Sequence, residues 1–138
     1  MHASDYPYVG QQGECKYKED APQVKINGYA RIFPFLEFVL QYEVAHAGPI
    51  AASMHRLPSY DAYTGGIYFD EKCSEDPKDA NHHVTVVGYG SQGEEDFWIV
   101  KDSRGPAFGE EGYVRIARGR STACGLTQTA FYPLFLAP

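Results

Sequence analysis

From Pro49 onward the chain is a train of short apolar or alternating segments: "PIAASM", "GGIYF", "HVTVVGYG", "DFWIVKD", "GYVRIAR" and "TAFYPLF". Many of the breaks between them carry glycine or proline, and runs this short read as strands. A series of such strands suggests a rolled antiparallel sheet or barrel. An earlier segment, "QVKINGYARI", alternates in the same way and adds a strand kinked at Asn27-Gly28. One stretch breaks the pattern. "PFLEFVLQYEVAHAG" places Leu36, Val39, Leu40 and Val44 near helical spacing, and Phe35 and Phe38 widen the apolar face. Pro34 suits a first helical position, Gly48-Pro49 ends the helix, and His46 in the last turn favours the helix dipole. The expected fold class is α+β and β-dominated: an antiparallel, barrel-like sheet with one main helix packed outside.

A length of 138 residues suits one domain. The first twenty-odd residues, through "GECKYKEDAP", read as an extended lead-in, which divides the chain into a lead-in over 1–22 and a barrel domain over 23–138. A net charge of −6, with no basic cluster beyond "RIARGR", argues against nucleic acid as a partner. No apolar run is long enough to span a bilayer. The start, "MHASDYPYVG", lacks the charged opening and apolar core of a signal peptide.

The three cysteines, Cys15, Cys73 and Cys124, form no C-x-x-C pair, so a zinc knuckle is unsupported. Spacing alone leaves open one disulfide plus a thiol, or three reduced cysteines. The histidines are more telling. In "NHHVTVVGYG", His82 and His83 are adjacent on a strand and point to opposite faces. They cannot act as twins in one site, and convergence on a metal would need other ligands. The upstream "DEKCSEDPKD", with its five carboxylates, reads as a solvated acidic loop rather than a calcium site.

Read in order, "SDYPYVGQQGECKY", "GPIAASM…YTGGIYFDEKC", "NHHVTVVGYG" and "DFWIVKDSRGPAFGEEGYVRIARG…ACGL…AFYP" resemble the C-terminal half of the papain-like cysteine peptidases, the group containing papain and cathepsin L. The resemblance runs over essentially the whole chain and implies the right-hand β-barrel domain of that fold. The family's catalytic histidine lies six residues before the first glycine of "GYG". Counting back from Gly88 selects His82, the imidazole partner of a cysteine thiolate. The asparagine that orients this imidazole lies in Lys-Asn-Ser-Trp-Gly, which here is "KDSRG". Asp102 therefore stands at the orienting position and Arg104 at that of the shielding tryptophan, while Phe108 keeps an aromatic ring further along the loop. The resemblance also implies a substrate pocket lined from this half by Ser53, Ala80, Asn81, His83 and Thr129. The position of His83 is usually small, so an imidazole there either polarises the pocket or points to solvent. Cys73 and Cys124 match a family disulfide. Cys15 matches a structural cysteine whose partner lies in the other half, which leaves it unpaired. None of the three has the nucleophile's motif, and neither metal nor cofactor is implied.

Two departures carry physical weight. A carboxylate at Asp102 adds negative charge beside the imidazole and favours its protonated form, as in the His–Asp pairs of serine hydrolases. Arg104 threatens to wet the pair, or to ion-pair with Asp102 and leave His82 unoriented. The motif is thus a degraded one. The function implied is the C-terminal half of a papain-like cysteine endopeptidase, contributing the imidazole side and inactive alone. The alternative is a non-peptidase homologue acting as a protein- or peptide-binding, regulatory module. The partners implied are a peptide or protein substrate and an N-terminal peptidase half. An exposed apolar cleft face adds a homodimer formed by segment exchange. The implied disulfide places the protein in the secretory pathway, the lysosome or the extracellular space.

Overall fold

Alternation along the chain resolves into seven strands in the computed structural model, which describes residues 4–18, 24–120 and 123–135. They are β1 Gly28–Arg31, β2 Ile50–Met54, β3 Ile67–Tyr68, β4 His82–Gln92, β5 Glu95–Lys101, β6 Tyr113–Ala117 and β7 Ala130–Leu134. One sheet contains them all, in the order β1-β7-β2-β4-β5-β6-β3. The pairs β7–β2, β2–β4, β4–β5 and β5–β6 are antiparallel. The sheet departs from the antiparallel pattern at one edge, where β3 runs parallel to β6. Parallel neighbours need a long crossover, and the whole β4–β5 hairpin lies between these two in sequence. The sheet is therefore mixed, and it remains β-dominated.

The chain divides into two compact units, Met1–Tyr29 with Pro133–Pro138, and Ala30–Tyr132. In the smaller unit, residues 4–18 form a turn followed by chain without helix or strand. The amide of Asn27 donates to the carbonyl of Leu134 over 2.8 Å. The junction expected between residues 22 and 23 lies outside the described residues.

In the larger unit, α1 spans Glu37–His46. It begins three residues later than Pro34 suggests, because Phe35 takes a φ of +64° and turns the chain before the helix starts. Leu40 and Val44 are buried, four residues apart on one stripe. Phe35 and Phe38 do not widen that face, being 68% exposed each. Phe38 precedes Leu40 by two residues, about 200° around the helix, and so points away from the core. The helix ends as expected. The amides of Ala47 and Gly48 both reach the carbonyl of Glu43, and Gly48 takes a φ of +99°. Nδ1 of His46 lies 2.7 Å from the carbonyl oxygen of Tyr42, in the last turn of the helix.

Packing centres on Trp98, fully buried with Leu40, Ile50, Val86, Val100, Val114 and Ile116. Its indole N–H donates to Oε1 of Glu37 over 3.1 Å, so the polar tip of the ring is satisfied at the helix start. Two short pieces that read as loop in the sequence are helical turns: α2, Pro58–Asp61, and a 3₁₀ turn, Pro77–Asp79. Two of the five carboxylates in the acidic stretch beside the latter serve backbone turns. Asp70 accepts from the amide of Lys72 and Asp76 from that of Lys78, each over 2.9 Å.

Candidate active site

His82 opens β4 and Asp102 follows the last residue of β5. The antiparallel register pairs Thr85 with Lys101, which brings these two ends together. Nε2 of His82 stands 2.9 Å from Oδ2 of Asp102. The carboxylate side chain is wholly buried and the imidazole 11% exposed. Nδ1 of His82 has no partner among the described residues, so one ring nitrogen is tied and the other is open.

Arg104 does bind Asp102, but it does not displace His82. A carboxylate has two oxygens, and here they divide the work. Oδ1 accepts from the backbone amide and from Nε of Arg104, each over 3.0 Å. Oδ2 accepts from the Tyr60 hydroxyl over 3.0 Å and faces His82, with a longer contact of 3.3 Å from the guanidinium. The expected competition between Arg104 and His82 is resolved by sharing. The guanidinium lies over the rings of Phe108, at 3.3 Å to the centroid, and Tyr60, at 5.2 Å. A cation set against two aromatic rings and anchored to a buried anion occupies the shielding position.

The pair sits at the end of a longer string. Arg104 also reaches Asp61 over 2.9 Å, and Asp61 contacts Arg56 at 3.5 Å. With a neutral imidazole, the two guanidinium and two carboxylate charges of this string cancel. Burial works to raise the carboxyl of Asp102. Hydrogen bonds from the Arg104 side chain, His82, the Arg104 amide and Tyr60 outweigh it and hold the group well below the usual carboxylate range. Burial pushes the Tyr60 phenol far up, helped by the adjacent negative charge, so its proton stays available to donate.

The loop after β5 makes this arrangement possible. The Asp102 amide donates to the carbonyl of Gly112 over 2.9 Å, and the Gly112 amide to that of Phe108 over 2.7 Å. The fold-back that sets Phe108 against Arg104 needs Gly109. It takes a φ of +56°, and a Cβ there would stand 2.6 Å from the carbonyl oxygen of Tyr113.

His83 faces the other side of β4, as adjacent strand positions require. It lies opposite Ser53 in the register, with Nδ1 at 3.0 Å from the Ser53 hydroxyl. A groove of about 420 Å³ is lined by Ala51, Ala52, Ser53, His83, Val84, Thr129 and Phe131. Three of the five pocket positions, Ser53, His83 and Thr129, thus meet in one groove. Ala80 and Asn81 are not among its lining residues. Asn81 instead clamps the backbone of Arg56, accepting from its amide over 2.7 Å and donating to its carbonyl over 3.1 Å. Among the described residues, the large exposed apolar side chains, Phe33, Phe35, Phe38 and Tyr42 among them, do not line this groove.

Cys73 and Cys124 are joined in a disulfide across 51 positions, and Cys15 is free and exposed. No group of three or more His, Cys, Asp or Glu among the described residues is placed to hold a metal ion. Nor is any helix long and apolar enough to cross a membrane. Tyr60 and Asp61 are the site residues that sequence reasoning passed over. The one signal was Pro58 opening "PSYD", a helix start too short to show periodicity.

Comparison with known proteins identifies the family and the fold. The profile described as papain family cysteine protease matches residues 1–134. Mouse (Mus musculus) cathepsin K is 43% identical over 129 residues, covering 93% of this chain and 39% of that protein. A cathepsin L-like proteinase of Fasciola hepatica is 38% identical over 131 residues, covering 95% and 40%. The structure of digestive procathepsin L 3 from the larval midgut of Tenebrio molitor superposes with a TM-score of 0.92 at 36% identity, covering 98% of this chain and 44% of that one. The chain spans about two fifths of the length of the curated relatives it matches.

Proposed function

The chain belongs to the papain family of cysteine proteases, and from that premise we propose that it supplies the imidazole side of a peptide-hydrolysing active site. The attacking thiolate then comes from polypeptide outside these 138 residues, since two of the three cysteines are bonded to each other and Cys15 lacks the nucleophile's motif. The single observation that carries the reading is His82, held through Nε2 by a buried carboxylate and open at Nδ1. An imidazole fixed at one nitrogen can accept a proton at the other without changing its orientation. In this reading Nδ1 takes the thiol proton as the sulfur attacks the scissile carbonyl. The imidazolium then returns a proton to the leaving amine as the C–N bond breaks. Asp102 compensates the positive charge while it lasts, and Arg104, Tyr60 and the Arg104 amide keep Asp102 ionised and still.

Ser53, His83 and Thr129 serve as the side-chain pocket from this half, and the partners are a peptide or protein substrate and the thiol-bearing segment. The disulfide supports a secretory, lysosomal or extracellular setting. The test is complementation. The chain is mixed with the cysteine-bearing half of a papain-family relative and assayed with a fluorogenic peptide. Thiol-dependent cleavage that disappears with His82→Ala is the expected outcome. A stable complex that does not cleave, or cleavage indifferent to His82→Ala, would refute the reading.

A further inference from the structure

We propose that His83 makes the groove between β2, β4 and β7 select a side chain ending in a carboxylate, glutamate above all. The inference rests on the reading above that substrate lies in this groove, and it names the chemistry the groove prefers.

The groove is built for a mixed ligand. Ala51, Ala52, Val84 and Phe131 give it apolar walls that suit a short aliphatic stem, and Ser53, Thr129 and His83 are its polar groups. Ser53 is only 9% exposed, and its hydroxyl holds Nδ1 of His83 at 3.0 Å. The ring orientation is thereby set from beneath. Nε2 has no partner among the described residues and remains free for a ligand. A protonated imidazole donates from both nitrogens, one to the Ser53 oxygen and one into the groove.

The surrounding charge has the matching sign. The adjoining groove, about 450 Å³, is lined by His83 together with Lys101 and Asp102 of the β5 end. Lys101 forms no ion pair among the described residues, whereas the carboxylate of Asp102 is taken up by His82, Tyr60 and Arg104. On the β7 side the Arg31 guanidinium stands 5.9 Å over the Phe131 ring. The β2 residues in the groove, Ala51, Ala52 and Ser53, are uncharged. Lys101 thus shares a groove lining with the imidazole, while Arg31, which also donates to the Gln128 carbonyl over 3.2 Å, stands over the Phe131 wall; a carboxylate satisfies the imidazole with a charge-assisted hydrogen bond. A leucine side chain fits the same walls but leaves Nε2 facing apolar atoms without a partner.

The test uses the chain itself with ¹⁵N-labelled histidine, in mildly acidic buffer. It is titrated with three capped peptides that differ only in carrying Glu, Gln or Leu at one position. The Glu peptide is expected to bind about fivefold more tightly than the Leu peptide, the scale of one partly exposed ion pair, and to move the ring resonances of His83. In His83→Ala, which changes an exposed side chain and leaves the fold intact, the order should invert toward Leu. Equal or tighter binding of the Leu peptide by the unmodified chain, or a Glu preference that survives His83→Ala, overturns this proposal and leaves the peptidase reading standing. Failure to bind any of the three counts against both.

Discussion

Tyr60 and His82 meet on a single oxygen, Oδ2 of Asp102, at 3.0 and 2.9 Å. The phenol comes from a helical turn only four residues long, the imidazole from the start of the longest strand. The oxygen they share sets the orientation of the one ring nitrogen pair on which the proposed chemistry depends.

Tyr60→Phe removes a buried donor to an ionised acceptor while keeping the ring that packs against Phe108. We expect a loss of about 1.5–3 kcal/mol in unfolding free energy, the scale of a hydrogen bond to a charged group. Urea denaturation of both proteins checks it, and a change smaller than their experimental scatter would show that the oxygen does not need the phenol. In the complemented enzyme the same variant should lower turnover more than it alters substrate affinity, because it acts on how His82 is held.

Acid stability follows from Asp102. Its carboxyl titrates lower in the folded chain than the ordinary value of 3.8, because its hydrogen-bond donors outweigh the opposing effect of burial. A group depressed in this way stabilises the fold in full above its unfolded value, and the contribution is lost as pH falls toward the folded one. Stability should therefore decline as pH drops below about 4. Glu110 is lowered too, chiefly by Arg115, and adds in the same direction. Comparing unfolding of the unmodified chain and Asp102→Asn between about pH 2 and pH 6 isolates the Asp102 share, since the variant should show the shallower acid limb.

The Cys73–Cys124 bond closes 51 positions of chain. In the chain-entropy model, a loop of that size is worth about 4 kcal/mol of restraint on the unfolded state. Double replacement by serine should lower the denaturant midpoint strongly, and mass spectrometry with and without reductant should count the bond. A midpoint that does not move would mean the packing around Leu126 and Met54 holds this region unaided.

Gly109→Ala tests whether the loop after β5 builds the site. An added Cβ would meet the Tyr113 carbonyl at 2.6 Å, at a φ of +56° that side chains rarely adopt. We expect a cost of about 1–3 kcal/mol, with the Phe108 ring pushed off the Arg104 guanidinium. Broadened or shifted Arg104 side-chain resonances would report the displacement. Retention of both stability and spectrum would show that the loop tolerates another path.

Much of this was legible one residue at a time. Alternation in "HVTVVGYG" and "DFWIVKD" marks strands because side chains two apart share a face, and it separates His82 from His83 for the same reason. The identity of His82 as the imidazole to follow, and the pairing of Cys73 with Cys124, came from family resemblance. Periodicity failed where the backbone departs from the regular. Phe35 looks like a helical residue in the string "PFLEF", yet its φ of +64° turns the chain. Two-residue β3 is too short to carry a period, so its parallel pairing with β6 left no trace in the pattern.

What the amino-acid order determined by itself is therefore the local direction of each side chain, namely which residues are strand and which face they take; resemblance to the family added an imidazole in one motif and, twenty positions on, a carboxylate and a guanidinium in another. Only the tertiary structure decided how those charges divide among partners. Tyr60, Asp61 and Arg56 reach the Asp102–Arg104 cluster from about forty positions away, a contact set by packing rather than by spacing along the chain. The sharing of one carboxylate between His82 and Arg104 depends on geometry at the scale of a single oxygen atom, and no periodicity records that.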